Sequence, residues 1–186
     1  LNLALVTSDK TVRETTKRPH TLRKYQEIVM SAHYLDLRMV SYQILGLPLE
    51  TLESMMQTLV FNAQLPVLLG ASPYYQTPNA PIARHLLFTE TDFIRSRLSA
   101  FAIETDNFKR RDIYTLFVIT RIINFLKGLH LENDTTLSQV LATHWREERM
   151  ATGIRLLKDL FINNRLYALT RQGLVWNREF DVSLFN

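Results

Sequence analysis

The stretch LKDLFINNRLYALTRQGLVWN, residues 157 to 177, restricts what this chain can fold into more than any other. Leu157, Leu160 and Phe161 continue an apolar ladder that begins at Met150 and Ile154, at the spacing of one helix face. The period then changes. RLYALT alternates, Arg171-Gln172-Gly173 forms a turn with glycine where a left-handed backbone is needed, and LVWNREFDV alternates back. Asn163-Asn164 join helix to hairpin, since asparagine tolerates the left-handed conformation that such a junction requires.

Two further elements precede this unit. KRRDIYTLFVITRIINFLKG is densely apolar from Ile113 to Leu126, and its stripe Ile113, Leu116, Phe117, Thr120 and Ile123 predicts a helix buried on most sides and closed by Gly128. LENDTTLSQVLATHW then predicts a short helix capped by Asp134 or Thr135, with Leu137, Val140 and Leu141 turned inward. Helix, short helix, tight turn, helix and hairpin follow one another from residue 109 to 182, and in this order the segment resembles winged helix-turn-helix domains.

The resemblance implies a domain type that binds duplex DNA in some proteins and only other proteins in others. For DNA, the last helix would present Arg146, Arg149, Thr152, Arg155 and Lys158 to a groove, with Arg171 and Gln172 at the wing tip. Lys109, Arg110 and Arg111 add a second basic knot. Glu147 and Glu148 sit in the first turn of the same helix, where they suit the helix dipole but oppose phosphate.

Upstream, residues 1–19 read as a polar, basic arm that ends at Pro19. From Thr21 to Leu45, Leu22, Tyr25, Val29, Ala32, Leu35, Met39 and either Tyr42 or Gln43 recur at helical spacing and predict one long amphipathic helix ended by Gly46. Leu47-Pro48 opens a second helix with Leu52, Met55, Met56 and Leu59 on its apolar face. Residues 66–81 carry four prolines and little periodicity, which predicts a surface loop. A further helix is expected from Thr89, with Thr89 and Asp92 as a capping box. The expected fold is therefore mainly α: a helical lobe over 20–106, then a winged-helix-like lobe over 107–186 that ends in a β-hairpin.

Composition narrows the chemistry. The formal charge is only +4, though Lys10, Arg13, Lys17, Arg18, Arg23 and Lys24 crowd the segment between Asp9 and Glu27. Zero cysteines exclude disulfides and thiolate metal or redox chemistry. The five glycines are scattered singly, so no phosphate-cradling loop or dinucleotide fingerprint can be assembled. The five histidines show no pair at metal-site spacing, and Glu90/Asp92 and Glu104/Asp106 sit where helix capping accounts for them. No metal and no cofactor is expected. The opening LNLALV is too short for a signal sequence and no apolar run is long enough to span a bilayer, so the expected setting is intracellular.

These readings combine into an expected non-enzymatic, nucleic-acid-binding protein of replication, partition or transcription type. The alternative is a protein-interaction or assembly subunit, such as a viral structural component, that docks a partner or a second copy through Tyr74, Tyr75, Tyr167, Trp176, Leu184 and Phe185. An enzyme would require an unforeseen pocket of converging titratable groups.

Overall fold

The computed structural model describes residues 1–18, 20–77, 89–99, 103–128 and 148–185. They divide into two compact units, Leu1–Arg121 and Ile122–Asn186.

The N-terminal unit overturns the expectation of a mainly α chain with a helical N-terminal lobe. Its elements run β1 (Asn2–Val6), α1 (Lys10–Thr15), α2 (Leu22–Tyr34), β2 (Val40–Leu45), α3 (Leu52–Ala63) and β3 (Leu68–Pro73). The strands form one sheet in the order β1-β2-β3, and both pairings are parallel. Its architecture is thus α/β. The supposed arm contributes β1 and α1, the latter capped by Asp9, whose side chain accepts from the Val12 amide at 3.0 Å. The supposed loop over 66–81 contributes β3.

The long helix expected over 21–45 breaks in two for a local reason. Thr21 caps α2, but Asp36 takes a left-handed backbone (φ +53°) and reverses the chain. The Asp36 amide donates to the His33 carbonyl and the Leu37 amide to the Ala32 carbonyl, each at 2.9 Å. That pair of bonds is the Schellman terminator, here with aspartate in the usual glycine position. Leu35 is left 65% exposed, Met39 turns into the core, and the next residues extend into β2.

Side chains of β2 alternate across the sheet, and Ser41, Gln43 and Leu45 point to its buried face. Tyr25 of α2 donates to Ser41 Oγ at 2.6 Å, and Ser41 donates to Asn62 Oδ1 of α3 at 2.7 Å. Asn62 Nδ2 closes the chain on Gln43 Oε1 at 3.1 Å. Both helices therefore cover the same face, over a core of Leu5, Tyr25, Val29, Ala32, Met39, Leu65 and Val67. On the other face the Tyr42 ring lies on Gly70, where an added Cβ would come within 2.6 Å of it.

After β3 come α4 (Glu90–Ser99) and α5 (Arg110–Gly128). Thr89 and Asp92 exchange the reciprocal bonds of the expected capping arrangement: the Asp92 amide donates to Thr89 Oγ1 at 3.2 Å and the Thr89 amide to Asp92 Oδ2 at 3.0 Å. On α5 the stripe holds in part: Ile113, Leu116 and Thr120 are buried, Phe117 and Ile123 are half-buried, and Thr115, Ile119 and Ile122 outside it are buried as well. Ile113 and Phe108 pack on Gly46 (φ +83°), at the carboxyl end of β2.

The C-terminal unit holds the end of α5, then α6 (Glu148–Asn163), β4 (Tyr167–Thr170), β5 (Gly173–Trp176) and a 3₁₀ turn (Val182–Leu184). Ile154, Leu157 and Leu160 line the buried face of α6. Gly153 admits Phe125, whose ring would lie 2.5 Å from a Cβ added there. Asn164 (φ +51°) and Gly173 (φ +105°) take the left-handed conformations read from the sequence. The antiparallel hairpin pairs Tyr167 with Trp176 and Thr170 with Gly173. The short helix expected around residues 134–144 lies outside the described residues, and so does the element order that carries the winged-helix resemblance.

Candidate functional site

In a parallel sheet the strands all end at one edge, and the loops leaving that edge are where α/β proteins place their ligands. Here the three loops carry buried polar residues. After β1 come Thr7, Ser8 and Asp9; after β2 come Gly46 to Glu50; after β3 come Tyr74 to Gln76. Thr7, Glu50 and Gln76 are buried, and Thr58 of α3 is buried beside the first loop.

Thr58 organises that loop. Its Oγ1 accepts from the Ser8 amide at 2.8 Å and lies 2.8 Å from Ser8 Oγ and 3.4 Å from Thr7 Oγ1. Thr7 Oγ1 in turn accepts from the Asp9 amide at 3.2 Å. After β3, the Tyr74 amide donates to the Leu45 carbonyl at 2.7 Å, and its hydroxyl donates to Gln76 Oε1 at 2.7 Å.

Glu50 stands apart. Its carboxyl is 1% exposed, Oε2 accepts from the Leu47 amide at 3.2 Å, and Oε1 has no hydrogen-bond partner. Burial pushes its pKa up to about 7 and the Asp9 charge adds to the rise, against the pull of the Thr7 hydroxyl and of the Leu47 and Gly46 amides. A carboxyl held in this way shares its proton near neutral pH, which is the condition for donating to or accepting from a ligand. Among the described residues, the buried side-chain atoms without a partner are Glu50 Oε1, Gln43 Nε2 and Arg13 Nη1. Gln43 is level with the last residue of β1, and Arg13 lies in the helix that follows it.

The sequence reading passed over this site. Its signals were a lone acid in the apolar run ILGLPLETL and the triplet Thr7-Ser8-Asp9 directly after LNLALV. Both become legible only once the flanking runs are known to be strands.

The residues proposed from the sequence are spread over both units. Tyr74 is half-buried against Val6, Val12 and Leu47, whereas Tyr75 is 47% exposed. Arg110 pairs with Glu104 at 3.0 Å, and this bond lowers the Glu104 pKa. Lys109 caps α5, its amide donating to Asp112 Oδ2 at 2.7 Å, and Arg111 is exposed next to it.

In the C-terminal unit Arg155, Lys158, Arg171 and Gln172 are exposed and Thr152 is half-buried. Arg146 and Glu147 lie outside the described residues, as do the side chains of Glu148 and Arg149. Leu184 is half-buried, and Phe185 packs on its own unit, its ring 5.3 Å from Phe161 and 6.2 Å from Phe180. Tyr167 is half-buried opposite Trp176, which is 46% exposed. Two residues absent from the sequence reading join it: the guanidinium carbons of Arg165 and Arg178 lie 5.5 and 5.0 Å from the Trp176 ring centre.

Among the described residues no three His, Asp or Glu side chains gather as a metal site, and no helix is long and apolar enough to cross a membrane. An open apolar groove of about 710 Å³ runs along α3 between Leu52, Met56, Val60 and Phe61. It holds neither Glu50 nor the hydroxyl cluster, so it is separate from the polar site. No known protein family, no curated protein and no solved structure matches the chain.

Proposed function

We propose that the N-terminal unit binds a small polar molecule at the carboxyl end of its parallel sheet, with Glu50 as the group that shares a proton with it. The observation that carries this reading is the buried, half-satisfied Glu50 carboxyl. Oε1 has no partner at hydrogen-bond distance although the Thr7 hydroxyl and the Gly46 amide lie close enough to pull on the carboxyl, and such an oxygen is disposed to accept from a molecule that enters beside it. The hydroxyls of Thr7 and Ser8 and the Asp9 carboxylate supply further polar contacts. The ligand is expected to bring hydrogen-bond donors such as hydroxyls or an amine.

Thermal unfolding of the whole chain against a panel of polyols, nucleosides, amino acids and amines tests this. At least one class should raise the midpoint of the wild type, and Glu50→Gln should weaken that class by about tenfold or more, the worth of one hydrogen bond to a charged group. A panel without effect at millimolar concentration removes the reading.

A second reading concerns the C-terminal unit, where a nucleic-acid partner is favoured by charge. Arg165, Arg171 and Arg178 fall in a run with no acid between Asp159 and Glu179. Exposed Ile162 and Val175, which lie off the Trp176 face, support instead the protein-assembly alternative, since phosphate recognition has no use for them.

A further inference from the structure

We infer that the hairpin of the C-terminal unit is a stacking platform for unpaired nucleobases, so that its partner is a single-stranded nucleic acid. This rests on the nucleic-acid reading just given and narrows it. Direct cross-strand pairing puts Tyr167 with Trp176, and Leu169 with Leu174, on one face of the ribbon. Trp176 and Leu169 remain 46% and 65% exposed, so this face is apolar, aromatic and open to solvent.

Three arginines bracket it, with the acid Glu179 next to the last of them. Arg165 and Arg178 flank the open end of the ribbon with their guanidinium groups over the indole, and Arg171 occupies the turn at the other end. A four-residue strand separates the two ends by about 13 Å, the reach of a short run of phosphates. Cations at both ends with an aromatic surface between them are what a flexible strand needs: its backbone follows the charges while its bases lie on the rings. Guanidinium planes over Trp176 extend the surface, because bases stack on arginine as well as on aromatic rings. Duplexes are the poorer fit. Their base faces are already stacked on one another, which leaves a half-exposed indole without a partner.

Fluorescence anisotropy with the whole chain decides the matter, using a labelled thymidine oligonucleotide of about 12 nucleotides and a duplex of the same length. The single strand should bind more tightly than the duplex and should quench tryptophan fluorescence. Trp176→Ala should weaken it by about 10-fold or more, and Trp176→Phe should restore most of that loss. Arg165→Gln with Arg178→Gln should reduce the salt dependence by about 0.7 for each phosphate contact removed. Equal or tighter binding of the duplex, with Trp176→Ala neutral, overturns the platform and leaves nucleic-acid binding standing. Binding of neither overturns both, and it does so equally if the chain is captured by anionic vesicles or self-associates through this face.

Discussion

Replacing Glu50 with glutamine should make the N-terminal unit more stable at alkaline pH while changing little at acid pH. In the folded chain the carboxyl titrates at about 7 instead of 4.5, because burial disfavours its charge. Below about pH 4 the group is protonated in both folded and unfolded chains, so it imposes no penalty. As the pH rises through this window the unfolded chain releases its proton first, and stability falls until the folded carboxyl ionises as well. The rise to about 7 corresponds to about 3 kcal/mol, complete by about pH 8. Glutamine keeps the bond from the Leu47 amide, carries no charge, and places an N–H where Oε1 has no partner. The difference between variant and wild type should therefore be near zero at pH 4 and reach about 3 kcal/mol in favour of glutamine at pH 8. Urea titration read by hydrogen exchange in β2 is the suitable assay, because neither tryptophan, Trp145 or Trp176, belongs to the sequence of residues 1–121. A variant whose stability runs parallel to the wild type from pH 4 to 8 would refute the reasoning, since it would mean that Glu50 is charged and satisfied when folded.

Three further outcomes follow from the packing. Ser41→Ala leaves the Tyr25 hydroxyl and the Asn62 carbonyl without their shared partner and should cost about 2–4 kcal/mol in urea, against about 1 for an ordinary hydrogen bond. Asp36→Gly should raise the melting temperature slightly and Asp36→Ala should lower it, because only glycine adopts a positive φ without cost; the same sign for both would contradict the terminator assigned to α2. Gly153→Ala gains about 1 kcal/mol of helix propensity but drives a methyl into the Phe125 ring, and a net loss of about 1–2 kcal/mol is expected, largely recovered by adding Phe125→Leu; an additive double variant would show that the two do not meet.

The C-terminal half of the chain was the more legible because its signals are local. Helix α6, the left-handed Asn164, the glycine of the turn and the alternation of the hairpin all lie within about thirty consecutive residues, and each has a sequence signature. The parallel sheet has none of these advantages. Its strands sit at residues 2–6, 40–45 and 68–73, so pairing depends on contacts that no window of the sequence contains. Individually they mislead. LLGASP has a glycine and a proline and reads as a loop, yet Gly70 is there to admit Tyr42, and Pro73 comes last in its strand. VSYQIL continued the helical stripe of α2 by coincidence of spacing, and the real stop was an aspartate that helix rules rank well below glycine. The candidate site inherits this blindness, because Thr7, Glu50 and Gln76 come together only through the sheet.

Two sets of buried polar residues in the N-terminal unit show why the site is assigned to Glu50 and not to polarity as such. Tyr25, Ser41 and Asn62 are as deeply buried as Glu50, but their hydroxyls and amide form a chain that ends on Gln43 and ties two helices to the central strand. Such a network specifies how α2 and α3 seat on the sheet, and its removal is felt as lost stability. Glu50 has the opposite energetics. One oxygen is unmatched, its charge is disfavoured, and the glutamine variant is expected to gain stability at alkaline pH. A residue that lowers stability where it stands needs a reason other than folding, and sites that bind or react are where proteins keep such residues. Three measurements together separate the two roles: stability lost on removing Ser41, stability gained on neutralising Glu50, and ligand-induced stabilisation that weakens only with the second change.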